Sequence, residues 1–191
     1  MDVSQLGAKI AIGLTDFSNK YLEKLNNISN GNLFVTDKMP HNFRYIGLIC
    51  AAFPDSKIIH VKRNPAAVCW ANYKQYFSSK NFGYSCDLID VVNYFKLYEN
   101  IMKFWSYKLS NRILDFDYEI LTANQEAETK RLINFLDLYW DEKCLSPEDN
   151  DRSVGTISNS QIRQKIYKGS SEKWKIYQPF LDGAFDSLFD N

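Results

Sequence analysis

Two places in the chain set a cation just beyond a short apolar run. Lys62-Arg63-Asn64-Pro65 follows Lys57-Ile58-Ile59-His60-Val61, and Asp37-Lys38-Met39-Pro40 follows Leu33-Phe34-Val35. If both runs are parallel strands, Arg63 and Lys38 stand at the carboxyl edge of the sheet, where doubly wound folds bind ligands. Arginine offers a planar fork to two phosphate oxygens, and the helix that Pro65 opens adds free N–H donors, so this junction suits a phosphate. The plainer alternatives are a surface arginine at a helix start and a solvated lysine before a proline turn. Tyr118-Glu119 follows a third run, Arg112-Ile113-Leu114-Asp115-Phe116, where a ring can lie against a base or plug the core. Tyr167-Lys168-Gly169-Ser170-Ser171 combines a cation, a flexible glycine and two hydroxyls, the ingredients of a phosphate clamp or of an ordinary loop. His60 alternates with Ile59 and Val61, which reads as a packed or edge residue, and neither it nor His41 receives a role.

The composition supports a local anion site rather than a general one. Lysines plus arginines number 23 and so do aspartates plus glutamates, which gives no global field for nucleic acid or an anionic membrane. Cys50, Cys69, Cys86 and Cys144 are widely spaced, and with only two histidines in the chain no metal centre is expected. No run approaches the length needed to cross a bilayer and Met1 to Lys9 has no apolar leader core, so free thiols in a reducing cytoplasm are expected.

The elements that position these residues follow from periodicity. Ile10, Leu14, Phe17, Tyr21 and Leu25 recur at steps of three or four and predict a helix over 5–28. Phe43, Ile46, Ile49, Ala52 and Phe53 predict a second over 42–53, between the strands 33–35 and 57–61. A helix from Arg63-Asn64-Pro65 to about Phe77, a long amphipathic helix over 88–109, a third strand over 112–116 and a helix over 126–138 complete the alternation. The polar stretch 140–162 reads as loop with short helical pieces, and an apolar helix is expected after Trp174. The whole, 1–191, reads as a single α/β domain with a parallel sheet flanked by helices.

Taken in order, Phe34 to Phe43, Gly47-Leu48-Ile49, Phe53 to Pro65, Ile113 to Leu121, and Gln161 to Tyr167 with Trp174 resemble the bacterial sulfotransferases often found behind tetratricopeptide repeats. The likeness covers roughly residues 20–180 and extends to the tyrosylprotein sulfotransferases. It implies a P-loop-like parallel α/β fold and 3′-phosphoadenosine 5′-phosphosulfate as sulfuryl donor, with a hydroxyl of a protein, glycan or small molecule as acceptor. By that resemblance Arg63 corresponds to the arginine that grips the donor's 3′-phosphate, Tyr118 to a nucleotide-contacting tyrosine, and Lys168 to a late basic residue near that phosphate. Thr156 and Ser158 correspond to hydroxyls near the nucleotide. Lys38 corresponds to the cation that stabilises charge on the bridging oxygen, a task suited to preorganised electrostatics.

The chain departs from the family's pattern in ways that bear on activity. Where the family's arginine motif continues with an acid and a phosphate-binding serine, this chain has Ala67 and Ala71, and Glu172 replaces a glycine before the late tryptophan. The glycine-rich loop for the 5′-phosphosulfate, its strand and the family's glutamate base are expected before residue 1. A domain lacking that strand would either pair its second and third strands directly or leave unpaired N–H and C=O groups, unless another chain supplies the strand. Two functions follow from the resemblance: sulfuryl transfer, or a non-catalytic remnant or interaction module that keeps weak nucleotide binding.

Overall fold

A computed structural model describes residues 3–78, 80–150 and 163–189. Helix α1 spans Val3–Ser29, α2 Ile46–Ala52, α3 Pro65–Tyr73, α4 Leu88–Lys108, α5 Tyr118–Ala123 and α6 Gln125–Phe135, with strands β1 at Ile58–Lys62 and β2 at Ile113–Asp117. The strands pair in parallel with His60 opposite Asp115 and Lys62 opposite Asp117. Parallel pairing requires a long crossover, and α3 and α4 lie within it. The second and third strands of the sequence reading thus pair directly with each other, each shifted by one residue from its expected bounds.

The expected first strand, 33–35, is not a strand. That segment opens on a bend at Leu33 and has no ladder partner among the described residues, and Leu33 and Phe34 are 93% and 68% exposed. Apolar β-formers specify a strand only when a neighbouring strand takes up their backbone groups, and among the described residues the sheet has two strands. The expected terminal helix is also replaced, here by short 3-10 turns at Ser170–Ile176, Gln178–Phe180 and Asp186–Leu188. Pro179 lacks the donor a helix interior needs, and Asp182 and Gly183 adopt left-handed backbone at φ 46° and 72°, which stops propagation. Helix α3 ends at Tyr73, short of the expected Phe77.

Two apolar clusters hold these elements. Ala66, Ala67 and Cys69 of α3 meet Val91 and Val92 of α4, and the C-terminal segment seals them with Trp174, Leu181 and Phe185. Ile46 and Cys50 of α2 meet Met102 of α4 and Ile113 of β2. Arg112, just before β2, locks this second cluster: its guanidinium donates to the carbonyls of Cys50 (3.2 Å), Phe53 (2.7 Å) and Ser56 (3.0 Å). These carbonyls belong to the last turn of α2 and the turn that follows it, so one cation ties the helix terminus to the start of β2. Helix α1 attaches by Phe17 and Tyr21 against Phe53, and the Tyr21 hydroxyl donates to Asp37. No helix among the described residues is long and apolar enough to cross a membrane.

Helices α2 and α4 approach so closely at Gly47 that a Cβ there would lie 2.6 Å from the Trp105 ring. Overpacking of a core costs about 1–3 kcal/mol, which outweighs the roughly 1 kcal/mol of helix propensity that alanine brings. Gly47→Ala is therefore expected to lower the thermal midpoint, and a midpoint equal to or above the parent's would show that Trp105 can withdraw freely.

Candidate functional site

The carboxyl end of β1 delivers Arg63 into a cluster assembled from three parts of the chain. Its Nε donates to the Ser171 hydroxyl at 2.8 Å and a terminal nitrogen donates to the Ser170 hydroxyl at 3.3 Å. Its guanidinium carbon lies 5.4 Å from the centre of the Tyr118 ring, a cation–π arrangement. Glu119, the next residue of α5, accepts from the Ser171 hydroxyl and from the Asn64 N–H at 3.1 Å. Asn64 in turn caps α3, its side chain accepting from the Ala67 N–H at 3.0 Å. Gly169, at φ 86°, takes the left-handed turn that brings Ser170 and Ser171 back to β1.

Of the residues singled out from sequence, Arg63, Tyr118 and the serines of the 167–171 cluster converge. Lys38 does not join them: it is exposed on the segment after Val35 and is not part of the cavity wall beside Arg63. Lys168 is exposed on the turn ahead of Ser170. Thr156 and Ser158 lie outside the described residues.

Beside Arg63 opens a cavity of about 800 Å³ between β1, α3 and α4. Lys62, Arg63, Asn64 and Glu119 form its rim at the strand end, and aromatic side chains form much of the wall. Tyr84 stacks on Tyr94 with centroids 3.8 Å apart, and Phe82 stacks between Phe77 at 4.5 Å and His41 at 4.7 Å. The Tyr94 hydroxyl and His41 Nε2 are buried without a hydrogen-bond partner among the described residues. Buried polar atoms of this kind carry a penalty that a ligand's polar group can remove.

Deeper in the same cavity, His60 Nδ1 is 2.7 Å from an Asp115 carboxylate oxygen, and its Nε2 is hydrogen-bonded to the Tyr98 hydroxyl. Asp115 also receives the Ser106 hydroxyl at 3.5 Å and lies 3.8 Å from the Lys62 ammonium. Burial holds the His60 imidazole below its ordinary pKa, against the opposing pull of Asp115. Burial, then the nearby charges of Asp115 and Glu99, pushes Tyr98 up to about 12. The sequence reading gave His60 no role and passed over Tyr98, Asp115 and any function for Glu119. The register that sets His60 against Asp115 is the missing signal, and no pattern within either strand reveals it.

A buried histidine with a depressed pKa stays neutral in the folded state, so the unfolded chain takes up the proton first. Its contribution is retained above the unfolded value of 6.5 and lost as pH falls through the lower folded value. His41 is shifted the same way, by burial and then by Arg44. Stability measured by urea unfolding should therefore decline below about pH 6.5, and His60→Gln should decline less steeply over the same window. Identical slopes would mean that His60 titrates alike in both states.

Comparison with known proteins supplies the family. A model described as the sulfotransferase family matches residues 1–142, which include β1, Arg63, β2, Tyr118 and Glu119 but not the serines at 170 and 171. An uncharacterized protein of Aquifex aeolicus (strain VF5) is 34% identical over 170 residues, covering 88% of this chain. The aligned region is 22% of that relative, so this chain spans about a fifth of its length. With a parallel β1–β2 pair flanked by helices and a family match over most of its length, the chain belongs to the sulfotransferase family.

Proposed function

We propose that this domain takes part in transferring a sulfuryl group from 3′-phosphoadenosine 5′-phosphosulfate to a hydroxyl acceptor. The observation that carries this reading is the convergence of Tyr118, Ser170 and Ser171 on Arg63, which itself lines the cavity. Arg63 supplies a charged fork for the donor's 3′-phosphate, the two hydroxyls can turn from guanidinium to phosphate oxygen, and Tyr118 offers a ring face to the base. The attack is an in-line displacement: the acceptor oxygen bonds to sulfur, the sulfur bond to the 5′-phosphate oxygen breaks, and adenosine 3′,5′-bisphosphate departs. Positioning and charge stabilisation do most of the work in such a transfer. Lys38 is the cation for the bridging oxygen by family resemblance, and to act it must approach from the exposed segment on which it stands.

That placement of Lys38 favours a second reading, nucleotide binding without transfer. Ala71 stands where the family places a phosphate-binding serine, and a missing charge-assisted hydrogen bond costs about 1.5–3 kcal/mol, or ten-fold or more in affinity.

Calorimetric titration with adenosine 3′,5′-bisphosphate tests the donor site without any acceptor. Binding in roughly the micromolar range or weaker is expected. Arg63→Ala should weaken it by ten-fold or more and make the remainder less sensitive to salt. No heat up to millimolar nucleotide would sink both readings. Release of the bisphosphate from the donor separates the two: turnover that Lys38→Ala abolishes supports transfer, and binding without turnover leaves the nucleotide-binding module.

A further inference from the structure

We propose that Tyr98, His60 and Asp115 form a proton relay that accepts the proton of a hydroxyl group bound in the cavity. All three side chains line that cavity, His60 from β1, Asp115 from β2 and Tyr98 from α4. The order of the hydrogen bonds fixes the direction. Asp115, a carboxylate, can only accept, so His60 donates its Nδ1–H to it at 2.7 Å and presents an unprotonated Nε2 to Tyr98. The Tyr98 hydroxyl therefore donates to Nε2. Its oxygen keeps a lone pair for an incoming O–H, and no protein donor among the described residues takes it.

The proton count closes without any co-reactant. An incoming phenolic hydroxyl passes its proton to the Tyr98 oxygen as Tyr98 passes its own to His60 Nε2, leaving a phenolate in the cavity and an imidazolium on His60. Asp115 faces that imidazolium directly. The side chain of His60 is 11% exposed whereas Asp115 is 47% exposed, so the carboxylate stays hydrated while the base it steers is shielded. The charged groups facing the relay are Lys62 from β1, Asp115 and Asp117 from β2, and Glu99 and Lys103 from α4. Burial favours the neutral form of His60, the state in which a proton acceptor must begin. Tyr98 touches the hydroxyl, while His60 and Asp115 act through it.

The assignment of this relay to sulfuryl transfer rests on the function proposed above, but proton uptake itself does not, and it can be read with no nucleotide present. The probe is 4-nitrophenol, an aromatic hydroxyl suited to the aromatic wall, whose phenolate absorbs in the visible. In buffer below the probe's own pKa, adding the protein should raise the phenolate band by a fraction of the bound probe, because a base held below its ordinary pKa takes only part of the protons. Lys62 and Lys103 could favour a bound phenolate by charge alone, and that contribution would survive in Tyr98→Phe, which keeps the ring and both lysines. The band is expected to be lost in Tyr98→Phe and in His60→Gln, with the circular dichroism of each variant unchanged. Should His60→Gln fail to fold, Tyr98→Phe decides alone. A parent protein that raises no phenolate band, or a band that persists in Tyr98→Phe, overturns the relay. Either result leaves the nucleotide titration untouched, so the relay and the donor site fail separately.

Discussion

The register of one parallel strand pair governs this molecule. With His60 set opposite Asp115 and Lys62 opposite Asp117, both chemistries are placed by the same five rungs. The side-chain period of a strand is two, so a slip by one residue would turn His60 away from Asp115 and redirect Arg63 at the end of β1. Arg112 enforces the register from one end by binding the carbonyls that α2 and its following turn release. At the other end, Glu119 bridges the Asn64 N–H and Ser171. A two-stranded sheet has little cooperative strength of its own, and these polar clamps with the helical cores on either side supply what further strands would otherwise provide.

The anion cluster and the proton relay share a cavity but differ in physical character. At the strand end, Arg63 holds two neutral hydroxyls in a part-buried cluster, and a dianion can outcompete them by charge. Inside, aromatic rings share the walls with Glu99, Lys103, Ser106, Asp115 and Asp117, and the shielded member of the relay is His60. Glu119 complicates the rim, because its carboxylate lies beside the position an anion would take. It serves the fold by tying α5 to β1, and it also limits which anions the rim can accept.

Much of this was legible in the residues themselves. The stripes of α1 and α4 and the apolar runs of β1 and β2 are strong periodic signals, and the structure shows elements within a few residues of each expected span. The Lys62-Arg63-Asn64-Pro65 junction was readable because a proline at a helix start and an asparagine cap announce themselves locally. What was not readable depended on distant partners. Leu33-Phe34-Val35 has strand chemistry but no strand beside it, and the terminal apolar segment has helical composition but is broken by Pro179 and by left-handed backbone at Asp182 and Gly183. Nothing local marks Tyr98 on α4, since only packing shows that its hydroxyl meets His60.

The bond from Arg63 to Ser171 spans 108 residues of chain. Bringing such distant points together costs an entropy that rises only logarithmically with loop length, but it must be met before the contact returns anything. Local helices and the β1–α3–α4–β2 crossover can form without it; the rim cluster cannot, because its serines arrive with the segment that Trp174, Leu181 and Phe185 dock against α3 and α4. The Arg63 cluster is thus complete only when the C-terminal segment is docked. A chain with that segment undocked would hold Arg63 at the end of β1 without the hydroxyls that orient it, so on the function proposed above a phosphate-bearing ligand would select for the docked form.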